Sequence, residues 1–259
     1  MTANASVAAP AQSPATTADA AAPCPICAGP SRQALTQNGY DVFRCEACDF
    51  LFVHPYPSGE ALAAFYNAHY RQASADHYPK AASRRRRALV RALSLSPDLW
   101  GRSVLELGCG GGFMTWAMSF FAARTTGVDI SADSIAYAQA HFPRSTFRCA
   151  TLAETAQCGE TFGLVFSSEL FEHLPGVDEI MTCIDRVTAP GSLVYVSAPD
   201  ASHAKTPADL STWSDICPPE HLQWFGKANL AALFARYGFA PHRYRHAPKP
   251  AHNVLFRKL

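Results

Sequence analysis

The stretch "VLELGCGGGFM" (Val104–Met114) sets four glycines into five positions directly behind an apolar run that carries one carboxylate, Glu106. An apolar run ending in such a turn reads as a buried strand whose backbone must come close to a ligand, since glycine takes positive φ without strain and carries no Cβ. The glycines at 108, 110, 111 and 112 form GxGxG. Phe113 stands where the dinucleotide fingerprint GxGxxG has its third spaced glycine. The sign of the charge at Glu106 decides between ligands. A pyrophosphate on this turn would be repelled by the glutamate, whereas a cationic ligand would be attracted. One such pair at about 4 Å, with an effective dielectric near 20, is worth roughly 4 kcal/mol before desolvation is set against it.

S-adenosylmethionine brings an ammonium and a sulfonium to such a turn, and the next strand supplies a place for its ribose. "GVDIS" puts Asp129 about twenty residues beyond the glycines, where an acidic side chain can accept both ribose hydroxyls; alternatively, Asp129 caps a helix beginning near Ser131. Around these motifs, strands alternate with helices. Candidate strands are Ser103–Gly108, Thr125–Ile130, Ser145–Ala150, Phe162–Ser168 and Gly191–Pro199, followed by a helix over Lys227–Tyr237 and strand-like pieces at Ala240–Arg245 and Asn253–Leu259. Most are short apolar runs able to be buried on both faces, as a parallel sheet requires. The expected fold is α/β: a doubly wound, Rossmann-like, seven-stranded and mostly parallel sheet, with a small N-terminal four-cysteine zinc ribbon.

The whole chain sets limits on this reading. Its 259 residues and 48% hydrophobic content suffice for one sizeable domain plus an appendage. The expected division is a disordered tail over 1–23, a ribbon over 24–57, a helical linker or substrate cap over 58–100, and the main domain over 101–259. The linker contains helix-like segments at Gly59–Tyr70 and about Lys80–Leu95. A net charge of +1 argues against a nucleic-acid binder. The first 23 residues contain no Lys or Arg, as a secretory signal would, and Phe113–Ala123 is too short an apolar run to span a bilayer. Nine cysteines fit a reducing cytoplasm. Four of them have metal-ligand spacing: Cys24-x2-Cys27 and Cys45-x2-Cys48, with 17 residues between the pairs. Two such knuckles can close on one structural Zn²⁺ and hold a module too small to build a core.

The motifs in this order resemble the class I S-adenosylmethionine-dependent methyltransferases, from about Ser103 to Leu259. The resemblance implies that Gly108, Cys109 and Gly110 line the methionine end of the cofactor, with Glu106 behind them. It also implies that Asp129 and Ile130 hold ribose and adenine, that Thr151 and Leu152 border adenine, and that Ser167 and Glu169 of "FGLVFSSELFEHLP" lie beneath the sulfonium. The chain departs from many members at "CATLAE", which offers no acidic or amide residue for the adenine amino group. Together with the cysteine module and "PPEHLQWF", the core is similar to zinc-ribbon-bearing methyltransferases that tailor sugars and natural products. In these, the N-terminal module and following tyrosines help close the site; Tyr66 and Tyr70 are the candidates.

Transfer from a sulfonium needs alignment of the acceptor and, where the acceptor is protonated, a base. Two loop stretches supply one: Glu172 with His173, and Glu220 with His221. His221 is the favoured base, with Glu220 as its partner or replacement and His173 facing the reaction centre. Asp200–Pro219, carrying Trp213, reads as a substrate lid or an ordinary surface connection. "RRRR" (Arg84–Arg87) points around a helix, leaving a solvated face or a contact to a substrate phosphate. The acceptor is expected to be a small molecule, such as a sugar, nucleotide-sugar or natural-product intermediate. Two alternatives stay open: an RNA methyltransferase gripping nucleic acid with the ribbon, and a non-catalytic adapter that retains the cofactor fold.

Overall fold

A computed structural model describes residues 22–65, 78 and 80–259. Tyr66, Tyr70 and nearly all of the expected tail lie outside the described residues. Ala22, at the tail's end, is buried in the same apolar cluster as Cys24 and Phe50.

The apolar runs form strands buried on both sides. β4 (Ser103–Leu107), β5 (Arg124–Asp129), β6 (Thr146–Cys149), β7 (Leu164–Ser168), β8 (Leu193–Ser197), β10 (Phe239–Tyr244) and β11 (Val254–Lys258) make a seven-stranded sheet ordered β10-β11-β8-β7-β4-β5-β6. Within β6–β5–β4–β7–β8 every pairing is parallel, and β11 enters antiparallel to both β8 and β10. Side chains alternate between the two faces, as the pleat dictates. Leu105, Leu107, Val165, Val194 and Val196 pack with Ile180 and Ile184 of α5 (Asp178–Arg186) and with Leu230 and Phe234 of α6 (Lys227–Ala235). Val104, Leu164, Phe166 and Tyr195 pack on the other face with α1 (Ala81–Leu99), α2 (Phe113–Met118) and α3 (Ala132–His141). The short α4 (Leu152–Ala156) follows β6. This is the doubly wound sheet expected from the sequence.

The α1 helix buries Ala88, Ala92, Leu95 and Leu99, a spacing of four, three and four that keeps one stripe inward. It runs a turn beyond the expected end at Leu95 and takes in Pro97. Of the arginine run, Arg84, Arg86 and Arg87 are exposed, while Arg85 lies over the rings of Trp116 and Phe142. Residues 59–65 are helical.

A second sheet ties the cysteine module to the main domain. β1 (Ser31–Gln37), β2 (Tyr40–Cys45) and β3 (Leu51–Val53) form an antiparallel meander, and its fourth strand is β9 (Gln223–Trp224), from far along the chain. Val53 N donates to Leu222 O at 2.8 Å and continues the pairing. Asn229 of α6 and Arg236 just past its end hold the knuckles: Asn229 Nδ2 donates to Cys48 O at 2.9 Å and Arg236 Nη1 to Ile26 O at 2.7 Å. Trp213, Ile216, Leu222 and Trp224 complete a core with Val42, Leu51 and Val53 of the ribbon. Trp224 is fully buried at that junction, so Trp224→Ala should destabilise the protein by about 3–5 kcal/mol. The measurement is the denaturant midpoint at constant m-value; a loss below about 1 kcal/mol would contradict the packing described.

Candidate functional site

The glycine turn leaves β4 at the carboxyl edge of the large sheet and is stitched to the end of β5. Gly108, Gly110 and Gly112 take φ of 71°, 48° and 77°, values that an L side chain adopts only with strain. Gly108 N and Cys109 N donate to Val128 O at 2.9 and 3.0 Å. Gly110 N donates to Asp129 Oδ2 at 2.7 Å, while Asp129 Oδ1 accepts from Ser131 N at 2.9 Å. Ser131, rather than Asp129, is the side-chain N-cap of α3, accepting from Ser134 N. Asp129 therefore braces the turn and presents its carboxylate at the strand end. Ile130 beside it is 74% exposed.

Behind the turn, Glu106 is buried and accepts a hydrogen bond from Thr115 Oγ1. Gly127 makes the space: a Cβ there would come within 2.7 Å of Thr115 Oγ1 and 2.9 Å of Cys109 Sγ. Burial pushes the Glu106 carboxyl up to about 8, opposed by the Thr115 bonds, with the neighbouring Asp129 adding to the rise. Cys109 is itself buried. Thr151 closes a capping box with Glu154, and Leu152 follows it as the first residue of α4. The Thr151 hydroxyl is thereby engaged locally, accepting from Glu154 N at 3.1 Å and donating to Glu154 Oε2 at 2.9 Å.

Two groups at this edge were not singled out from the sequence. The ring of Tyr78 lies on the turn, so a Cβ on Gly111 would fall 2.6 Å from it, and its hydroxyl donates to Ser134 Oγ at 2.8 Å. Arg91 reaches from α1 across the ends of β7, β8 and β11. It donates to Ser168 Oγ, Ser197 Oγ and Asn253 Oδ1 at 3.1 Å each and to Tyr195 OH at 3.2 Å. Arg91 follows Ala88 by three residues on the inward stripe of α1, a signal present in the sequence; Tyr78 has no comparable signal.

On the opposite side of the turn, Ser167 is the penultimate residue of β7, and its Oγ is buried without a hydrogen-bond partner among the described residues. Glu169 follows at φ 54°, its N donating to Ser197 O at 2.8 Å and its Oε1 accepting from Ser197 Oγ at 3.3 Å. A 3-10 turn, Phe171–His173, then brings Glu172 and His173 under the loop that carries Glu220 and His221. Leu222 N donates to Glu172 O at 2.7 Å, and Gln223 Nε2 to Phe171 O at 2.7 Å. His173 and His221 meet edge to face, with ring centroids 4.8 Å apart. Each turns Nδ1 to a carbonyl: His173 to Glu220 O at 2.7 Å and His221 to Asp215 O at 2.9 Å. A ring nitrogen facing a carbonyl carries the proton, which leaves the lone pair on Nε2. Burial holds His173 below the usual imidazole range, with His221 pushing the same way. Glu220 thus meets His173 through its main chain. Trp213 lies in the junction core, 5% exposed.

The four module cysteines converge. Sγ separations are 3.6 Å for Cys24–Cys48, 3.4 Å for Cys27–Cys45 and 3.6 Å for Cys27–Cys48. A tetrahedral zinc with Zn–S near 2.3 Å has sulfur–sulfur edges of about 3.8 Å, so this thiolate set fits that ion. Among the described residues no helix is long and apolar enough to cross a membrane.

Comparison with known proteins agrees with this architecture. In sequence, 103 residues are 36% identical to a ubiquinone biosynthesis O-methyltransferase of Rhizobium leguminosarum bv. trifolii, covering 38% of this chain and 41% of that protein. A protein of the same name from Sinorhizobium fredii is 34% identical over 103 residues, 38% and 42% of the two chains. The match thus spans about two-fifths of the length of these curated relatives. In structure, the magnesium protoporphyrin IX methyltransferase of Synechocystis PCC 6803 with bound SAH aligns at a TM-score of 0.53 and 19% identity, over 68% of this chain and 83% of that one. The DhpI–SAM–HEP complex aligns at 0.56 and 18% identity, over 78% and 100%. These likenesses show the shared fold. The model of a methyltransferase domain family matches residues 68–244, well over half of the chain, and the chain belongs to that family.

Proposed function

We propose that the protein is an S-adenosylmethionine-dependent methyltransferase acting on a small molecule, with a sugar, nucleotide-sugar or natural-product intermediate as the acceptor class. The observation that carries this reading is the set of three glycines at positive φ, braced by the Asp129 carboxylate and backed by Glu106. The cradle is short of side chains and acidic where a cationic adenosyl ligand needs both. Asp129 and Ile130 would hold the ribose and adenine, Gly108, Cys109 and Gly110 the methionine end, and Thr151 and Leu152 the adenine edge. The bound cofactor supplies an electrophilic methyl group on a sulfonium. Ser167 and Glu169 lie at the neighbouring strand end, and Glu169 adds negative charge beneath that cation. On the acceptor side, Nε2 of His221 takes the acceptor's proton, with His173 and Glu220 fixing the ring's surroundings. Tyr66 and Tyr70 remain candidates for closing the acceptor side. The ribbon's role is architectural: it holds zinc through Cys24, Cys27, Cys45 and Cys48, and its sheet fixes the loop bearing His221. That the sheet takes its fourth strand from the main domain supports reading the ribbon as a wall of the site in preference to a free nucleic-acid grip. All nine cysteines are unbridged, in keeping with a reducing cytoplasm. The relatives named for ubiquinone O-methylation add support for a small-molecule acceptor.

Calorimetry should show micromolar binding of S-adenosylmethionine by the wild type and at least a tenfold loss in Asp129→Ala; equal affinities would remove Asp129 from the site. Glu106 gives a second test. Its carboxyl sits near 8 without ligand, and a nearby cation lowers it, so binding at pH 7 releases a proton and affinity rises from pH 6 to 8. Enthalpies in two buffers of different ionisation heat should report that release, and Glu106→Gln should abolish it. Finally, one zinc per chain should survive mild chelation in the wild type but not in Cys45→Ser.

A further inference from the structure

We propose that Glu172, His173 and His221 form a binding site for one divalent transition-metal ion, separate from the cysteine ribbon and placed on the acceptor side of the cradle. One potential ligand atom from each of the three lies within 4.8 Å of the others. The two imidazoles are set for coordination, because their Nδ1 protons are committed to the carbonyls of Glu220 and Asp215 and the lone pair is left on Nε2. Such an outer hydrogen bond fixes the tautomer and orientation of a metal-bound histidine. Glu172 is the second, independent observation. It is 0% exposed, neither carboxylate oxygen has a hydrogen-bond partner among the described residues, and the side chain beside it is another acid, Glu169. A buried carboxylate with both oxygens orphaned is costly, and a cation that it helps to coordinate removes that cost.

Two nitrogens and one carboxylate suit zinc, iron, cobalt or manganese in the divalent state better than magnesium or calcium. Ligand atoms around a tetrahedral ion at about 2.0–2.1 Å stand roughly 3.4 Å apart, so the three groups, now within 4.8 Å of one another, draw together when the ion binds. Three protein ligands leave a position for an oxygen of the acceptor, as open metal sites do. The ion and the base are alternatives, since metal binding uses the Nε2 lone pairs. The role given to His221 above belongs to the metal-free enzyme. With the ion bound, the acceptor hydroxyl coordinates it and loses its proton to water. The resulting oxygen forms the O–C bond as the S–C bond breaks, and the sulfonium leaves as a neutral thioether. Only this last step rests on the proposed methyl transfer; the site itself does not.

The test is titration of the zinc-loaded full-length protein with Co²⁺, read by visible d–d absorption. Wild type should bind one equivalent at micromolar concentration, without the thiolate charge-transfer band that exchange into the ribbon would give. Glu172→Gln and His221→Gln should each weaken binding at least tenfold, while S-adenosylmethionine affinity, unchanged within twofold, shows that the fold is intact. No cobalt beyond the ribbon, or equal binding in both variants, would overturn the site. Cobalt binding by a protein that fails to bind the cofactor would overturn the methyl-transfer reading and leave the metal site standing.

Discussion

The pairing of Leu51–Val53 with Leu222–Trp224 is the contact on which the acceptor side depends. A two-residue strand has no stability of its own; it is held because Trp224 and Leu222 are buried against the ribbon and because Val53 N reaches Leu222 O. From that anchor the chain runs back through His221, whose ring is fixed by Asp215 O, and on through Leu222 N to Glu172 O. One short ladder thus couples the four-cysteine module to the position of two imidazoles and a buried carboxylate. A ribbon of this size cannot build a core alone, so the dependence runs both ways: Asn229 of α6 and Arg236 just past its end clamp the knuckles.

On the cofactor side the governing term is electrostatic. Glu106, Asp129 and Glu169 surround a backbone cradle that has few side chains to neutralise them, and Arg91 is engaged by hydroxyls and an amide rather than by a carboxylate. Burial raises Glu106, and the Thr115 hydrogen bonds and the more distant Arg91 charge offset only part of that rise. A site that must hold a proton in place of a cation is complementary to a positively charged ligand and poorly suited to a phosphate.

The large sheet was legible because its strands are apolar runs closed by turn residues, and its mostly parallel character followed from alternation with helices; the strand order did not. The glycine turn, Asp129 and the four cysteines were legible because their spacing carries chemistry. Long-range geometry was not. Gln223–Trp224 is too short to show strand periodicity, and its partner lies some 170 residues away. Trp213 sits in a loop rich in turn formers, where an aromatic residue can cover a ligand or fill a core; the junction with Val42 and Leu51 takes it inward. Adjacency of Glu220 and His221 in the sequence carries no sign that the two imidazoles turn Nδ1 to the carbonyls of Glu220 and Asp215. The position of Arg91 could be inferred from the inward stripe of α1, but the four adjacent arginines draw attention to the wrong residues.

Through the β3–β9 pairing the ribbon is structural scaffolding for the loop that carries His221. Hydrogen exchange at the amides of Val53 and Leu222, before and after the ribbon zinc is removed with a strong chelator, tests it most directly. The account predicts that both amides lose protection together with the cysteine knuckles, while the amides of β4 and β5 keep theirs. Protection of Leu222 that survives zinc removal would contradict it and leave the ribbon as an appendage with no part in shaping the site.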